Sequence, residues 1–213
     1  MAQQRDLTAE ALQRGAIPGR GYTFARRLSQ LLHPMLLGVM SFFVVGLFAI
    51  PERLAGLGWA ILCVLLQVAP PTAFFTIRLR QGAYSDEDIS VRQQRNELYF
   101  FGLLTVLVGL AILFALKAPV PFVALLCSAV VLNMLAWLIN LFWKISIHSA
   151  SIGSIATLAT IYVAPLGFFF WVCAVALGWA RVRTRNHSPL QVMAGLVLAA
   201  LCVLLVFRGF GLI

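Results

Sequence analysis

The feature that most constrains this chain is a series of apolar runs, each about the length of a helix that crosses a bilayer. They cover residues 32–50, 55–77, 98–116, 121–143 and 189–207. Charged residues make up 11% of the sequence, about half the share found in a soluble domain. Within lipid, only helices and closed barrels satisfy their own backbone hydrogen bonds. The sequence therefore predicts an all-α integral membrane protein.

The segment between His148 and Arg181 is also apolar, but its length is ambiguous. A single helix would be about 48 Å long, well beyond a hydrocarbon core of about 30 Å. Two helices broken at Ala164-Pro165 would each be about 24 Å long, which is short for a span. Length alone leaves both possibilities open.

The first 30 residues are polar and basic, and no cleaved signal peptide is expected there. We predict that residues 1–30 form a cytoplasmic tail or an interfacial helix, and that residues 31–213 form one membrane domain. The chain carries a net charge of +9. Because the basic residues lie between apolar runs rather than on one soluble face, nucleic-acid binding is not expected.

The longest polar stretch between spans runs from Arg78 to Glu97. Within it, Ser85 followed by three acidic residues is typical of a helix N-cap with acids on the first turn. That helix would place Arg92 and Arg95 on one face. Arg92 could equally pair with Asp88.

Two segment ends combine cations with a histidine, namely residues 144–148 and 181–191. Ionisable side chains at the edge of a bilayer are costly and are typical of functional sites. Imidazoles there indicate proton or phosphoryl chemistry. Guanidinium groups match the geometry of phosphoryl oxygens. His148 and His187 are therefore candidate catalytic residues. Lys144 could instead be an interfacial anchor, and His33, alone at the start of a run, is interpreted as interfacial.

These segments resemble the motifs of the type-2 phosphatidic acid phosphatase (PAP2) superfamily, as a divergent branch, over roughly residues 78–200. The third family motif, Ser-Arg-x5-His-x3-Asp, is matched by Arg181, His187 and Gln191. The second, Pro-Ser-Gly-His, is retained as Ser146 and His148. The first, Lys-x6-Arg-Pro, keeps its arginine as Arg95.

The resemblance implies a six-span helical bundle that hydrolyses phosphate esters without a metal or other cofactor. By position it makes His187 the nucleophile, which forms a phosphohistidine, His148 the acid, and Gln191 the residue that orients His187. The resemblance, together with the chemistry of the side chains, suggests five residues that hold the substrate phosphate: Arg181, Lys144, Arg95, Arg92 and Ser146.

Several motif positions differ from the family pattern. Asp88 stands in place of the first-motif lysine, and Gln191 in place of the third-motif aspartate. The other replaced positions are Ile145, Ile147, Asn96 and Ala180. At i+4 on a helix, the amide of Gln191 can still accept the ring N–H of His187. Because an amide cannot stabilise an imidazolium as a carboxylate does, we expect weakened activity.

A shared site for His148 and His187 requires an even number of crossings between them. We therefore predict two short helices, over about 149–163 and 166–182. Of the 16 lysines and arginines, only Arg53, Lys117 and Arg208 then lie opposite the site. By the positive-inside rule, the site face and the N-terminus are cytoplasmic, in the cell (inner) membrane.

The sequence thus predicts a lipid phosphatase acting on an isoprenoid or phosphatidate-like phosphate or diphosphate within the bilayer. A non-catalytic lipid-phosphate binder with the same fold is the alternative. A polytopic prenyltransferase or a transporter is a weaker one, because a prenyltransferase needs several Asp-rich motifs that bind Mg²⁺, and Asp86-Glu87-Asp88 is a single acidic cluster. The lipid tail, the leaving group and the oligomeric state are left open.

Overall fold

A computed structural model describes residues 11–213, and in that range the chain forms α-helices joined by loops, without a strand. The helices are α1 (Arg20–Leu31), α2 (Pro34–Phe48), α3 (Arg53–Gln67), α4 (Ala69–Arg80), α5 (Arg95–Ala115), α6 (Val120–Phe142), α7 (Ile147–Tyr162), α8 (Ala164–Arg183) and α9 (Pro189–Gly209). A 3-10 turn, Arg92–Gln94, leads into α5. The all-α architecture predicted from the apolar runs is confirmed.

By length and composition, five helical segments of the described chain could cross a membrane, or six if one bent pair is a single span. The five are Arg53–Arg80, Arg92–Ala115, Val120–Phe142, Ala164–Arg183 and Pro189–Gly209, and the pair is α1 with α2, bent by 41°. This agrees with the predicted membrane bundle. The 16-residue α7 is too short for that count and packs against α8 and α9. With the five segments and the bent pair, it makes seven helical segments in the described chain, one more than the six spans that the resemblance implies.

The ambiguous segment between His148 and Arg181 consists of two helices that meet at Val163. The break predicted at Ala164-Pro165 is confirmed, because Pro165 lies in the first turn of α8, where its missing N–H is tolerated. The two helices pack closely at this turn. A Cβ on Gly167 would lie 2.2 Å from the Thr160 hydroxyl oxygen, so only glycine allows this approach.

The prediction that a helix starts at Ser85 is wrong. Residues 81–91 form a loop, and helical structure begins only at Arg92. The Asp86 carboxylate accepts the backbone N–H groups of Asp88 (2.9 Å) and Ser90 (3.1 Å). These side-chain-to-backbone bonds close a tight turn, which competes successfully with the helix.

Helix α7 lies at the centre of the bundle and packs against α2, α8 and α9. Two glycines bring its backbone close to α9. A Cβ on Gly195 would lie 2.6 Å from the Ser146 carbonyl oxygen, and one on Gly153 would lie 2.9 Å from that of Leu196. This close packing fixes the start of α7 beside the start of α9.

The N-terminal segment follows the bundle rather than extending away from it. Helix α1 lies against α8, with Tyr22, Ala25 and Ser29 buried and Phe24 exposed. Within the predicted tail or interfacial helix, residues 20–30 are therefore helical. The first ten residues, which include Arg5, lie outside the described residues.

Candidate active site

The two histidines singled out in the sequence lie at the same end of the bundle and line one cavity. His148 is in the first turn of α7, and His187 is in the short loop between α8 and α9. Arg181, in the last turn of α8, lines the same cavity, whose volume is about 90 Å³. All three side chains are buried. The turn at Val163 is what reverses the chain and makes this convergence possible.

Gln191 fixes the orientation of the His187 ring. Its Oε1 atom lies 3.1 Å from His187 Nδ1 and accepts the backbone N–H of Ser188 at 3.2 Å. The Ser188 hydroxyl in turn accepts the Gln191 N–H, which completes a capping box at the start of α9. Because the atom that accepts the Ser188 N–H must be the amide oxygen, Nδ1 carries the ring proton. The other nitrogen, Nε2, keeps its lone pair.

The surroundings of His187 hold its ring in the neutral form. Burial, followed by the positive charges of Arg181, Arg95 and Lys144, lowers the pKa of His187 to about 2. A charged imidazole would lose hydration here and meet three cations. At ordinary pH the ring is thus a neutral base, which is the form that a nucleophilic histidine needs.

Arg181 is paired with an acidic residue, Asp88, that enters the site from the 81–91 loop. Arg181 Nη1 donates to Asp88 Oδ1 at 2.9 Å, and both side chains are at most 3% exposed. Asp88 Oδ2 also accepts from Arg14 (3.1 Å), Arg26 (3.1 Å) and Asn186 (2.9 Å). This group of five residues is called the Asp88 cluster below.

The Asp88 carboxylate stays ionised in this cluster. Burial alone raises the pKa of Asp88, but the guanidinium groups of Arg181 and Arg26 outweigh that effect and hold it well below its ordinary value. The predicted phosphate clamp therefore already holds an anionic group of the protein.

The loop that presents Asp88 is strained and is held by Arg95. Ile89 has a φ of +45°, a conformation that is unusual for a β-branched residue. Arg95 donates to the carbonyl oxygens of Ile89 (2.8 Å), Asp88 (3.2 Å) and Ile145 (3.0 Å). Although Arg95 lines the cavity, its guanidinium thus joins the loop to the segment before α7.

The other predicted phosphate-binding residues surround the cavity without lining it. Lys144 Nζ donates to the Asn186 carbonyl at 3.0 Å, and burial, with Arg95 and Arg181, lowers the pKa of Lys144 to about 8. Arg92 donates to the Asn140 carbonyl on α6. The Ser146 hydroxyl caps α7 by accepting the Ser149 N–H at 3.3 Å. Their roles toward a substrate stay predictions.

His33 is a cavity-lining residue that the sequence interpretation missed. Its ring centroid lies 5.6 Å from that of His148, with the rings nearly perpendicular. Its Nδ1 accepts the Met35 N–H at 3.3 Å and so caps α2. The sequence offered one signal for this role: His33 stands at the start of an apolar run, and that run begins at the end of the bundle where the site lies.

The cavity also has apolar lining residues on three helices. Met35, Phe75 and Leu98 line it from α2, α4 and α5. Two further cavities adjoin this one. A cavity of about 160 Å³ has Pro34 as a lining residue in common with it, and a cavity of about 180 Å³ has Ile147 in common with it. These two share Ala129, Leu132 and Ser151 with each other. Mostly apolar cavities between α2, α5, α6 and α7 thus adjoin the cavity that the histidines line.

Within residues 11–213, no three His, Cys, Asp or Glu side chains are grouped so that they could hold a metal ion. Compared with known proteins, residues 96–212 match a family model described as "PAP2 superfamily". No curated protein and no solved structure matches the chain. The matched range contains α5 without its first residue, Arg95, and all of α6 to α9. His148, Arg181, His187 and Gln191 lie within it.

Proposed function

The chain belongs to the PAP2 superfamily, whose model matches residues 96–212, and on that premise we propose that it is a membrane lipid phosphatase. The family supports phosphatase-type activity on lipid phosphates. We infer that the substrate is a phosphate or diphosphate ester of an isoprenoid or phosphatidate-like lipid. The observation that carries the proposal is that the buried side chains of His148, His187 and Arg181 line one cavity that adjoins mostly apolar cavities of the bundle.

In the first proposed step, His187 Nε2 attacks phosphorus in line with the bond to the leaving oxygen. A P–N bond forms, the P–O bond breaks, and His148, which enters the step as the protonated imidazolium, donates its proton to the departing oxygen. Arg181 stabilises the charge on the peripheral phosphoryl oxygens. The products are the dephosphorylated lipid, or its monophosphate if the substrate is a diphosphate, and a phosphohistidine.

In the second step, water attacks the phosphohistidine. His148, now deprotonated, accepts a proton from that water, the P–N bond breaks, and inorganic phosphate leaves. The ring of His187 regains its neutral form with the proton still on Nδ1. Throughout the cycle Gln191 Oε1 holds Nδ1–H, which keeps Nε2 directed at phosphorus. Neither step requires a metal or a cofactor.

The size of the cavity supports a ligand whose headgroup alone enters the polar site. A volume of about 90 Å³ is well below the roughly 300–1,000 Å³ of a pocket that encloses a whole drug-sized molecule. The hydrocarbon chain of the substrate would lie along the adjoining apolar cavities. This supports a lipid ester rather than a soluble phosphate ester.

Two observations favour a second candidate, a non-catalytic lipid-phosphate binder. Arg181 already holds the Asp88 carboxylate, and Gln191 lacks the charge that stabilises an imidazolium during phosphoryl transfer. A binder would retain the ligand without turnover. Vanadate-sensitive turnover would exclude this alternative.

The experiment is to incubate purified protein with prenyl and phosphatidyl mono- and diphosphates and to measure released phosphate. His187→Ala should lose at least about 10³-fold in rate, because it removes the nucleophile. His187→Asn serves as a second variant of similar size, and a thermal melt of each variant checks folding. Phosphate release that persists in both folded variants would overturn the role of His187.

We also propose that the site end faces the cytoplasm. The observation behind it is the basic N-terminal segment together with Arg181, Arg183 and Arg185 at that end. Reporter fusions to the C-terminus, which lies at the other end of α9, test this orientation. A C-terminal reporter that is active only in the cytoplasm would contradict it.

A further inference from the structure

We propose that His33 is a third imidazole of the site, whose Nε2–H donates to an anionic oxygen of the bound phosphoryl group. This inference rests on the proposed function for the nature of the ligand, but not on turnover. His33 lies outside residues 96–212 and outside every motif considered above. The geometry of its ring, its local bonding and the state of the neighbouring donors carry the proposal.

The first step concerns position. His33 occupies the two-residue connection between α1 and α2, and its ring lines the cavity with His148, His187 and Arg181. Its ring centroid is 5.6 Å from that of His148, at an interplanar angle of 85°. A ligand that reaches both His148 and Arg181 would therefore contact His33 as well.

The second step concerns the proton on the ring. Nδ1 of His33 accepts the Met35 backbone N–H at 3.3 Å. An atom that accepts this bond carries no proton, so the neutral ring is protonated on Nε2. The local bonding of α2 thus leaves His33 with one N–H to donate.

The third step concerns why a histidine is present. As an N-cap, histidine is not among the favoured residues, which are Ser, Thr, Asp and Asn. The cap therefore gives no reason for an imidazole at this position, whereas an N–H donor at the wall of an anion site does. The small side chains that cap helices best would not reach into the cavity.

The fourth step concerns the other donors around the cavity. Arg95 directs Nε, Nη1 and Nη2 at backbone carbonyls, and Arg181 directs Nη1 at Asp88. A phosphoryl group brings three peripheral oxygens that accept hydrogen bonds. Arg95 is thus fully engaged, whereas Arg181 keeps its Nε without a hydrogen-bond partner among the described residues. Arg181 and the imidazoles are therefore the cavity-lining donors that phosphoryl oxygens can use without displacing a protein carbonyl, and the oxygens that Arg181 does not reach need the imidazoles.

The test compares wild-type protein with His33→Asn and His33→Ser, which keep an N-capping oxygen for the Met35 N–H and remove the imidazole. We expect kcat/KM for a prenyl monophosphate to fall about 10- to 100-fold, the range for a hydrogen bond to a charged group. The inhibition constant of vanadate should rise by a similar factor, with an unchanged melting temperature. Gln30→Ala, on the exposed side of α1, is the matched control and should behave as wild type.

Wild-type kcat/KM and vanadate inhibition in the folded His33→Asn variant would overturn the proposal. If neither variant folds, the wild-type protein still provides a test, because the chain has only three histidines. With ¹⁵N-labelled histidine, vanadate binding should shift the Nε2 resonance of His33, and an unchanged resonance would contradict the contact. Wild-type protein that binds vanadate but releases no phosphate from any lipid would refute the phosphatase function alone.

Discussion

The part of the chain that matches the family, residues 96–212, and the part before it, residues 11–95, contribute to the same site in different ways. The matched part supplies groups suited to the chemical steps, namely His148, Arg181, His187 and Gln191. The preceding part supplies the surroundings of those groups, through the 81–91 loop and the N-terminal segment. In the proposed mechanism the motif residues are the reacting groups, while much of their environment comes from the part of the chain before the family match.

The two parts are joined by buried polar bonds rather than by apolar packing alone. Asp88 accepts from Arg181 (2.9 Å) and Asn186 (2.9 Å), and Arg14 donates to Asn186 at 2.6 Å. Each bond crosses from the preceding part to the matched part. The comparison therefore gives a sharp expectation: substitutions in the matched part should affect turnover first, and those before it should affect stability or ligand affinity first.

The largest effect after loss of the nucleophile is expected at Arg181. Arg181→Lys keeps the positive charge for Asp88 but removes the planar guanidinium that matches a phosphoryl group. We expect kcat to fall about 10²- to 10³-fold, the range seen when one transition-state donor is lost. Phosphate-release kinetics measure this loss. The control is Arg183→Lys, two residues further along α8 and outside the cavity lining. An equal loss of kcat in both variants would contradict the specific role of Arg181.

Asp88→Asn should act mainly on stability. It leaves Arg181, Arg26 and Arg14 around a neutral group, and a buried charge that loses its partner costs about 3–5 kcal/mol. Because the pKa of Asp88 is lowered in the folded protein, its stabilisation is present above the unfolded pKa of about 4 and is lost as pH falls below it. As the pH is lowered through about 4, the melting temperature of Asp88→Asn should therefore fall less than that of wild type.

A stable Asp88→Asn variant with higher phosphate affinity would show that the part before the family match also limits ligand binding. It would mean that the carboxylate competes with the ligand for Arg181. Vanadate inhibition of the wild type and the variant, measured at the same pH, distinguishes this from a purely structural role.

Gly195→Ala tests how the close packing of α7 on α9 positions His148. The added Cβ would lie 2.6 Å from the Ser146 carbonyl oxygen, so the start of α7 must shift. We expect a loss of about 1–3 kcal/mol in stability, as for other overpacked sites, together with lower kcat. Gly58→Ala is the control, since a Cβ there meets nothing within 4 Å. A Gly195→Ala variant with wild-type kcat would contradict the positioning role.

The smallest effect is expected at Gln191. Gln191→Glu keeps the length of the side chain and can retain the capping box with Ser188, while it adds a carboxylate beside His187 Nδ1. We expect kcat to rise up to about 10-fold, since a carboxylate stabilises the imidazolium. The pKa of His187 should rise from about 2, so the variant should lose activity at a higher pH than wild type as the solution is acidified. A pH–rate profile measures both effects.

Much of the fold follows directly from the apolar runs and the proline positions. The break before Pro165 was predictable because a 32-residue helix does not fit a bilayer. The pairing of His148 with His187 followed from crossing parity once that break was assumed. These features depend on local chain properties, which a single sequence displays.

The Asp88 cluster and His33 were not predictable in the same way. The partners of Asp88 come from the N-terminal segment, α8 and the loop after it, and nothing in their spacing reveals that they meet. The helix predicted at Ser85 fails because Asp86 closes a turn onto Asp88 and Ser90. Tertiary contacts decide the Asp88 cluster and the place of His33, whereas local side-chain-to-backbone bonds decide the turn at Asp86.

The reach of Arg14 and Arg26 to Asp88 affects how the protein should be handled. A shortened version that begins near Pro34 would keep every residue of the family match, yet it would remove two cations from beside the proposed catalytic groups. Such a truncation removes three side chains from around the site, because His33 is lost together with Arg14 and Arg26. Affinity tags and crystallisation fusions are therefore better attached after Ile213.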